Sequence, residues 1–584
     1  MGKDKDDNYI EIARHSMAHV LAKAVCELFD DVKLGIGPAI DNGFYYDFDL
    51  PHTINEEDFP KIEEKMAKII ASDDGFVLRN VDKPSEDFAN QPYKLELIND
   101  LDGEQLTAYE TGSFYDLCAG PHVENMRELR NWGFKIASVA GAYWRGDSTR
   151  PMLQRIYVHA FPTRQELKKY LQFLEEAKKR DHRALGNQLD LFFLDEAAPG
   201  MPYFLPKGLK LYNLLLEFVR GILDERGYQE IAGPQLKNRT IWETSGHWEH
   251  YHENMFTFVI SEEHVMALKP MNCPNAIKTF GRKNRSYREL PLRYSDTSPI
   301  HRKEVSGTLH GLMRVQAFRQ DDAHIFLTEE QIPNEFNELF EIMNQMYSVF
   351  DLKYRAVLST RPNEGYLGDI ATWDTAEDTL KKALNAHFGD NYTINEGDGA
   401  FYGPKIDIYL KDALEREWQM CTVQLDFQLA SRFGVHYTDK DGKQKSPIII
   451  HRTIIGAFER IIGVLIEHFA GKFPFWLSPL QIGVVPVHPE HEEYAHKITN
   501  QLKKAGYRVH IDTSDGTMGN KIKSFRHEMV PYIVILGEKE AANNTISLRT
   551  RGGVQLNDMP LDKFLDICNI LESGRMLELI EGID

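Results

Sequence analysis

One cysteine and two histidines, far apart in the chain, have the residue types of a metal site. Cys273 lies in Lys-Pro-Met-Asn-Cys-Pro, His324 follows Arg-Gln-Asp-Asp-Ala, and His451 opens His-Arg-Thr-Ile-Ile-Gly. Such a set gives zinc three ligands and leaves a fourth position open, which is typical of a metal that faces a substrate. We therefore expect Cys273, His324 and His451 to meet around a zinc ion in a pocket.

Three arginines and an aromatic residue lie in the segments around this trio. Arg302 and Glu304 alternate along one predicted strand, Arg314 and Phe318 come from its partner, and Arg460 begins a predicted helix. Taken singly, each arginine is better explained by a surface salt bridge. Together they predict a triphosphate and purine site, because guanidinium forks neutralise phosphate oxygens. The sequence has no Gly-x-x-x-x-Gly-Lys-Ser/Thr segment, so this would not be a P-loop enzyme.

A second compact set of histidines and cysteine lies near the start of the chain. His15 and His19 are four residues apart on one face of a predicted helix, and Cys118 and His122 have the same spacing. Two such pairs are compatible with a second zinc site. Packed or helix-capping histidines are the alternative, which the compactness of the two pairs disfavours.

Composition limits the class of protein. A chain of 584 residues is too long for one core, so we expect three or four domains. Its apolar runs are too short for a membrane span, its charged N-terminus lacks a signal-peptide core, and its five cysteines form no disulfide pattern. We therefore expect a cytoplasmic protein. The net charge of −20 argues against a general nucleic-acid binder, and basic runs are singly better explained as solvated helix faces.

Periodicity predicts the elements that must position these residues. Helices are expected at 8–30, 55–71, 164–183, 209–225 and 490–505, with another from about 329, and strands within 33–50, 110–160 and 291–326. Residues 448–468 predict a strand that runs into a helix. The helix at 164–183 is highly charged, which suits a connection between domains. After the Pro- and aromatic-rich segment 473–479, strands and helices alternate as in a small α/β domain.

Taken together, the central segments resemble motifs 2 and 3 of the class II aminoacyl-tRNA synthetases. Arg-x-Glu at 302–304 and Phe-Arg-Gln-Asp-Asp-Ala-His-Ile-Phe at 318–326 are similar to the threonyl-tRNA synthetases in particular. So are the segments 245–248, 269–274, 401–407 and 422–427. The resemblance implies an α/β multidomain protein. Its parts would be a class II antiparallel-sheet catalytic core, an α+β editing domain and a C-terminal α/β anticodon-binding domain.

The resemblance also implies domain boundaries and an assembly. The editing domain would span 1–163, the linker helix 164–183, the catalytic domain 184–474 and the anticodon-binding domain 475–584. Residues 209–235 look like motif 1, which implies a homodimer. Family members commonly carry a further small domain ahead of the editing domain, and this sequence is expected to begin after it. Whether that start is natural or trimmed is left open.

For the central residues the resemblance implies a substrate filter. Cys273, His324 and His451 would hold one Zn²⁺ per subunit, and its open positions would take the amino and hydroxyl groups of L-threonine. Valine lacks the hydroxyl and would be rejected by more than the ~1–3 kcal/mol that one methyl gives in an apolar pocket. The amino-acid site would be completed by Met271, Gln320, Asp322 and Tyr402. ATP, accompanied by Mg²⁺, would be held by Arg302, Glu304, Arg314, Phe318, Gln424 and Arg460.

The implied catalytic residues are Arg302, Arg460 and His247. Arg302 would bridge the α-phosphate and the amino-acid carboxylate, stabilising charge during adenylate formation. Arg460 would hold the outer phosphates and, with Phe318, enclose adenine. His247 would take the proton from the terminal ribose hydroxyl of the threonine tRNA during transfer. A helix-capping role explains His247 equally well.

For the front cluster, the resemblance implies hydrolysis of mischarged seryl-tRNA. Serine keeps the hydroxyl group, so zinc cannot reject it and a second, hydrolytic sieve is needed. Lys94 and Asp116 match further editing positions. Members of the family generally edit without a metal, and we favour metal-free hydrolysis over a second zinc for the cluster of His15, His19, Cys118 and His122.

The sequence departs from the family pattern in three places. Asn275-Ala276 stand where Gly-His is usual, and Met420-Cys421 stand where Cys-Gly is usual. Neither change removes a zinc ligand, but both lie near the expected pocket. In the last domain Arg551 precedes Gly552 where paired arginines are common. The candidates for anticodon contact there are Lys521, Arg526, Arg549 and Arg551.

Two other functions compete with this interpretation. A synthetase-like regulatory or RNA-binding protein would have lost catalysis, but Arg302, Arg460 and the zinc trio are all present. A zinc-dependent hydrolase centred on the front cluster would bind its metal through His15 and His19 instead of Cys273. Metal content and amino-acid-dependent exchange would separate these possibilities.

Overall fold

The computed structural model describes residues 3–72, 74–101, 105–261, 264–305, 307–412 and 416–582. The chain forms two compact units, Met1–Glu176 and Ala177–Asp584. Their boundary falls inside the charged helix that the sequence predicts as a linker. Within the described ranges, no helix combines the length and the apolar character needed to cross a membrane.

The front unit packs helices against two antiparallel sheets. Its helices are α1 (Lys3–Leu28), α2 (Phe59–Ala71), α3 (Pro84–Asp87), α4 (Pro92–Asp100) and the charged α5 (Arg164–Arg180), which crosses the unit boundary. Its strands are β1 (Lys33–Leu34), β2 (Ala39–Ile40), β3 (Gly43–Asp49), β4 (Val77–Asn80), β5 (Thr107–Thr111), β6 (Phe114–Leu117), β7 (Gly133–Tyr143) and β8 (Met152–Phe161). The larger sheet has the order β1-β3-β8-β7 with β2 on β3, and β4-β5-β6 form the smaller one.

Helix α1 positions the front histidines. Met17, Leu21 and Val25 are buried where α1 contacts α2 and β3. His15 and His19 follow the same helical repeat, one turn apart. Strand β6 ends at Leu117, so Cys118 and His122 lie in the loop that follows it. The helices and strands predicted for residues 8–71 are confirmed, with ends shifted by a few residues.

The second unit is centred on an eight-stranded, mainly antiparallel sheet. The strands of residues 184–474 are β9 (Phe192–Phe193), β10 (Tyr203–Phe204), β11 (Gln229–Glu230), β12 (Leu236–Asn238), β13 (Thr257–Ser261), β14 (His264–Leu268), β15 (Arg285–Ser286), β16 (Leu292–Ser295), β17 (Ile300–His301), β18 (Ala317–Phe318), β19 (Ala323–Leu327), β20 (Lys353–Ser359), β21 (Tyr392–Asn395), β22 (Lys405–Lys411), β23 (Glu417–Asp426), β24 (Tyr437–Thr438), β25 (Gln444–Lys445) and β26 (Ile448–Thr453). The large sheet has the order β11-β16-β19-β26-β23-β22-β20-β21.

Helices cover this sheet and close its core. They are α6 (His182–Gln188), α7 (Pro206–Glu225), α8 (Arg239–Ser245), α9 (His247–Tyr251), α10 (Cys273–Phe280), α11 (Ile332–Ser348), α12 (Ile370–Phe388), α13 (Leu429–Arg432) and α14 (Phe458–His468). Leu215, Val219 and Ile222 of α7 are buried in the same core as α11 and α14. The helices predicted at 209–225 and after 448 are confirmed.

The last part of the chain forms a smaller α/β layer, as its alternating pattern predicts. Its strands are β27 (Ile482–Pro486), β28 (Val509–Ile511), β29 (Tyr532–Leu536), β30 (Thr545–Thr550) and β31 (Gln555–Pro560), and its helices are α15 (Glu492–Lys504), α16 (Met518–His527), α17 (Glu538–Asn543) and α18 (Leu561–Ser573). The sheet order is β28-β27-β29-β30-β31, with β27 parallel to both of its neighbours.

One prediction about the central strands is wrong. Strand β17 ends at His301, so Arg302 and Glu304 do not alternate along a strand face, and Arg314 precedes β18 rather than lying in it. Gly307 and Gly311 both have positive φ and turn the chain between the two short strands. Of the six residues expected to hold ATP, Arg302, Glu304 and Arg314 therefore lie in the loop between β17 and β18. Phe318 and Gln424 lie in strands, and Arg460 lies in helix α14.

Candidate active sites

Sheet register brings the predicted metal ligands together. His324 of β19 pairs directly with His451 of β26, so both side chains lie on one face. Cys273 begins helix α10 beside that face. The nearest ligand atoms of the three residues lie within 4.8 Å of one another, and all three residues are buried.

The groups around the trio fit a metal ion. Nδ1 of His324 and Nδ1 of His451 are buried and have no hydrogen-bond partner among the residues that the structure describes. On the other side of the His451 ring, Nε2 lies 2.8 Å from Asp426 Oδ2. A carboxylate that holds one ring nitrogen leaves the other lone pair for a metal. Burial raises the pKa of the Cys273 thiol, and a bound zinc would displace that proton. The donor set therefore suits zinc.

The trio lines a cavity of about 250 Å³. All four residues predicted for the amino-acid site line it, namely Met271, Gln320, Asp322 and Tyr402. Burial raises the pKa of Asp322 to about 6. Gln424, which the resemblance assigns to ATP, also lines this cavity. Its side-chain oxygen accepts a hydrogen bond from the Tyr402 hydroxyl. A cavity of this size with convergent polar groups suits one small amino acid.

An adjoining cavity of about 300 Å³ gathers the expected ATP residues. It is lined by Arg302, Glu304, Arg314, Phe318 and Arg460. Arg302 and Gln320 line both cavities. The two cavities therefore adjoin at Arg302 and Gln320.

Backbone carbonyls and a neighbouring carboxylate hold the arginines in place. Arg460 donates from Nε to Met313 O at 2.9 Å and from Nη1 to Gln419 O at 3.1 Å. Arg302 donates to Pro270 O at 3.2 Å, and Arg314 pairs with Glu304 at 2.8 Å. Burial and the charges of Arg302 and Arg314 lower the pKa of Arg460. The concentrated positive charge suits an anionic ligand.

Asp321 supports this site, although sequence reasoning did not single it out. It is fully buried, and its carboxylate accepts from the backbone N–H groups of Ile454 at 2.9 Å and Gly456 at 3.0 Å. It also pairs with the buried Arg452. These bonds fix the turn between β26 and α14, the helix that carries Arg460. Its place directly before Asp322 was visible in the sequence, but its partners 130 residues away were not.

His182 is a second residue that the sequence did not reveal. Its Nδ1 lies 2.6 Å from Glu467 Oε1, and its Nε2 accepts from the Leu312 backbone at 3.0 Å. Leu312 precedes Met313, whose carbonyl holds Arg460. His182 thus ties the loop that carries Arg314 to the end of α14. No motif or spacing in the sequence indicates this link.

His247 lies behind the amino-acid cavity rather than in its lining. It is fully buried, with Nδ1 2.8 Å from Ser245 Oγ and Nε2 2.8 Å from Met271 Sδ. Burial lowers its pKa to about 3, so the ring is neutral near pH 7. Because Met271 lines the cavity, one side chain separates Nε2 from that space.

The front cluster comes together as predicted. The ligand atoms of His15, His19, Cys118 and His122 lie within 4.8 Å of one another. Cys118 Sγ is 3.0 Å from His15 Nε2 and 3.4 Å from His122 Nε2. Burial lowers the pKa of His122 to about 2 and raises that of Cys118 to about 11. The cluster is therefore a set of neutral donors and acceptors near pH 7.

Lys94 and Asp116 form a buried ion pair in the same unit. Lys94 Nζ lies 2.8 Å from Asp116 Oδ1, and the two side chains are 4 % and 1 % exposed. Tyr46 donates to the other oxygen of Asp116 and accepts from Lys94 at 3.2 Å. Tyr46 also belongs to this network, although the sequence did not single it out. It lies in β3, far along the chain from both of its partners.

Asn275, Ala276, Met420 and Cys421 are not among the lining residues of the cavity that contains Cys273, His324 and His451. Asn275 donates to Asp296 Oδ2 at 2.7 Å and accepts from Lys237, behind the zinc trio. Cys421 is fully buried in the core. Asn275 lines a separate cavity of about 600 Å³, and Met420 lines the cavity with the arginines. The lining of the amino-acid cavity includes the four residues predicted for that site, together with others that the sequence did not single out, such as Lys405 and Arg452.

Basic residues of the last layer line a cavity of about 1070 Å³ in the second unit. Three of the candidate anticodon residues are in its lining, namely Arg526, Arg549 and Arg551. Lys521 is 7 % exposed and is not among the lining residues, whereas the neighbouring Lys523 is.

Comparison with known families covers all three parts of the chain. Residues 256–469 match the tRNA synthetase class II core domain (G, H, P, S and T), and residues 481–569 match the anticodon binding domain. Residues 106–157 match the threonyl and alanyl tRNA synthetase second additional domain. Each match falls in the part of the chain where its chemistry was expected.

Individual relatives agree with these matches. A threonine–tRNA ligase of Thermotoga neapolitana is 47% identical, covering 99% of this chain and 91% of that protein. The enzyme of Clostridium tetani is 45% identical over 99% of this chain and 92% of its own. A crystal structure described as the RNA binding domain of threonyl-tRNA synthetase from Cryptosporidium parvum matches 67% of this chain and 98% of its own, with 42% identity and a TM-score of 0.65. The chain belongs to the threonine–tRNA ligases, class II synthetases that use ATP to join threonine to tRNA and that edit mischarged tRNA.

Proposed function

We propose that residues 184–474 form threonyl-adenylate and transfer threonine to its tRNA, that 475–584 bind the anticodon, and that 1–163, joined by the linker 164–183, hydrolyse seryl-tRNA. The observation that carries the first assignment is the position of Arg302, which lines both the amino-acid cavity and the arginine-rich cavity. There its guanidinium can contact the α-phosphate and the carboxylate at once. It would stabilise the charge that develops between them.

In the amino-acid cavity, Cys273, His324 and His451 would hold one Zn²⁺ per chain. When bound, the ion would supply open coordination positions for the amino and hydroxyl groups of threonine. Asp322 and Gln320 would accept hydrogen bonds from the same amino group at the cavity wall. The Tyr402 hydroxyl is held by Gln424, which fixes that side of the pocket. Met271 would bound the space left for the side-chain methyl group.

In the arginine-rich cavity, Arg314 and Arg460 would bind the outer phosphates of ATP together with Mg²⁺. Phe318 would stack on adenine and Glu304 would accept from its amino group. Arg460 is held by two carbonyls, so its remaining N–H groups are already oriented. ATP binding would separate the Arg314–Glu304 pair, since each partner is assigned to a different part of the nucleotide.

For the transfer step, His247 would accept the proton of the terminal ribose hydroxyl. Ser245 Oγ donates to Trp242 O at 3.1 Å, so His247 would donate its Nδ1–H to Ser245 Oγ and keep a lone pair on Nε2. Met271 Sδ, 2.8 Å from Nε2, can only accept and offers that lone pair no donor. Met271 must move for that lone pair to meet the tRNA end. The low pKa of His247 keeps the ring unprotonated throughout the neutral range.

In the front unit, the cluster of His15, His19, Cys118 and His122 would orient water and the ester of seryl-tRNA without a metal. The buried Lys94–Asp116 ion pair places one cation and one anion in the same unit as the neutral rings. Lys94 would stabilise the developing oxyanion. Serine, which shares the hydroxyl of threonine, is the amino acid that such a second sieve must remove.

Two further assignments concern the whole protein. A homodimer is expected through residues 209–235. Strand β13 exposes Phe258 by 44%, Val259 by 75% and Ile260 by 61%. An exposed apolar strand of this kind suits a subunit contact. We place the protein in the cytoplasm, where its five free cysteines would stay reduced. Light scattering would test the dimer.

Amino-acid-dependent ATP–pyrophosphate exchange tests the central assignment. With zinc-loaded protein, threonine and serine should support exchange and valine should not. Arg302→Ala should abolish exchange with every amino acid, while Arg355→Ala, whose ion pair with Glu417 lies on the exposed surface, should leave it unchanged. Exchange with valine at the threonine rate, or full activity in Arg302→Ala, would refute the assignment.

A further inference from the structure

Ser16 lies directly behind the front cluster. It is fully buried on α1, between His15 and Met17. Its hydroxyl oxygen contacts three polar groups: Ile12 O at 2.8 Å, Val123 N at 3.0 Å and His122 Nδ1 at 3.1 Å. Neither side-chain neighbours nor spacing in the sequence distinguish this serine from a packing residue.

The hydrogen-bond capacity of a hydroxyl group fixes the direction of all three contacts. A serine hydroxyl has one proton to donate and two lone pairs to accept with. The Ile12 carbonyl can only accept, so Ser16 donates its proton there. The Val123 N–H can only donate, so it takes one lone pair of Ser16. The third contact is then complete only if His122 donates its Nδ1 proton to the remaining lone pair.

The direction of this contact determines the chemistry of the ring. A neutral imidazole carries one proton, and the low pKa of His122 keeps the ring neutral. With that proton on Nδ1, Nε2 presents a lone pair 3.4 Å from Cys118 Sγ, inside the cluster. In the other tautomer, Nε2 would be a donor and Ser16 would face an unprotonated nitrogen with no proton to share.

Aromatic neighbours keep the ring from turning away from this contact. His122 stacks on Phe76 with centroids 4.6 Å apart and on His15 at the same separation. Tyr109 meets the ring edge-on at 4.4 Å. The plane of the ring is therefore set by packing. What remains to be chosen is the nitrogen that carries the proton.

We propose that Ser16 is a positioning residue of the hydrolytic site, which holds His122 as the Nδ1–H tautomer so that Nε2 accepts a hydrogen bond from water or from the Cys118 thiol. This inference rests on the proposed editing role of the front cluster. It adds a residue that touches neither substrate nor water and acts through His122. Replacing Ser16 changes the position of one proton without removing any group that lines the cluster.

The test uses the full-length protein with ¹⁵N-labelled histidine. The His122 resonances are identified by their loss in His122→Ala, and long-range ¹H–¹⁵N correlations report which ring nitrogen is protonated. Wild type should show protonated Nδ1. Ser16→Ala should shift the signal toward protonated Nε2 and slow hydrolysis of seryl-tRNA by on the order of 10- to 100-fold. Threonine-dependent exchange, which depends on the second unit, should be unchanged.

Two variants separate proton placement from packing. Ser16→Thr keeps the hydroxyl and should retain both the tautomer and hydrolysis to within about threefold of wild type. Met17→Leu alters a buried neighbour on the same helix without touching the hydrogen bonds and should behave as wild type. Protonated Nδ1 and wild-type hydrolysis in Ser16→Ala would overturn the proposal, and so would a Ser16→Thr protein as slow as Ser16→Ala.

Failure of the editing role itself gives a different result. If His122→Ala hydrolyses seryl-tRNA at the wild-type rate, the cluster is not the hydrolytic site and the proposal falls with it. If His122→Ala is inactive while Ser16→Ala is fully active, only the role of Ser16 is wrong.

Discussion

Both units gather histidines around one cysteine, but the groups behind the rings differ. In the second unit, the outer nitrogen of His451 meets the carboxylate of Asp426 at 2.8 Å. In the front unit, the outer nitrogen of His122 meets the hydroxyl of Ser16 at 3.1 Å. A carboxylate strengthens an imidazole as a metal ligand, whereas a hydroxyl orients the ring without adding charge. On the proposed assignments, the same residue types would bind a metal in one place and would form hydrogen bonds to water in the other.

The backbone reinforces this difference. His324 and His451 lie opposite each other on central strands of a large sheet, so their separation is fixed by the register. In the front unit, His15 lies on a helix and His122 on a loop after β6. A metal site needs fixed ligand distances, which a central sheet provides. A loop would allow one side of the front cluster to adjust to the proposed ester substrate.

Replacing one residue of each cluster should give the largest difference in zinc content and activity between the two units. Cys273→Ala should lose the zinc, which is expected at about one ion per chain, together with threonine-dependent exchange. His15→Ala should keep both and lose hydrolysis of seryl-tRNA. Metal content measured by emission spectrometry and the two activity assays check this directly. Cys26→Ser, outside both clusters, serves as the control. Zinc that is retained in Cys273→Ala but lost in His15→Ala would reverse the comparison.

Asp426→Asn tests whether the carboxylate behind His451 makes the difference. The amide keeps the shape of the side chain but carries no charge, so it holds the ring less strongly. We expect zinc affinity to fall on the order of 10- to 100-fold, measured by competition with a chelator. Asn275→Ala, which changes the polar network behind the trio without contacting the His451 ring, should have a smaller effect. Equal affinities for wild type and Asp426→Asn would show that the carboxylate is not what distinguishes the two clusters.

Both clusters could be predicted from the sequence because their residues lie in short, recognisable sequence motifs. The pairs His15/His19 and Cys118/His122 show a four-residue spacing, and the synthetase motifs mark His324 and His451. His324 and His451 become neighbours through the pairing of β19 with β26. The motifs predict this pairing only because they resemble those of the synthetase family. Helices with strong apolar repeats, such as α1 and α7, were also predicted to within a few residues.

The supporting residues could not be predicted in the same way. Ser16, His182 and Asp426 act through partners at least 25 residues away. Their hydrogen bonds form only after the chain has folded. The expected strand through Arg302 failed for a related reason. The glycines at 307 and 311 turn the chain, and side-chain alternation alone does not reveal where a short strand ends.

Acid should weaken the front unit through its neutral histidines. The pKa of His122 is about 2 in the folded protein, against an ordinary value of 6.5. Between these values the unfolded chain binds a proton that the folded chain does not, so the free energy of unfolding falls as the pH falls. From pH 7 to pH 5 the loss from this residue is about 2 kcal/mol.

Urea unfolding of the front unit at the two pH values measures this effect. In His122→Phe, the difference between pH 7 and pH 5 should be smaller by that amount. His491→Phe, an exchange at a partly exposed histidine of the last layer, is the matched control and should leave the difference unchanged. If the free energy of unfolding changes equally with pH in His122→Phe and in wild type, the His122 ring takes up a proton at pH 5 in the folded cluster as well as in the unfolded chain.

The smallest expected effect concerns the wall of the amino-acid cavity. Tyr402→Phe removes the hydroxyl that donates to Gln424 and leaves the ring in place. Loss of this bond should cost about 1 kcal/mol of threonine binding, which raises the KM for threonine roughly fivefold in the exchange assay and leaves the KM for ATP unchanged. Zinc content should not change, since the hydroxyl is outside the proposed ligand set. A larger rise for ATP than for threonine would mean that Tyr402 and Gln424 serve the nucleotide, and the boundary between the two cavities would then have to be drawn elsewhere.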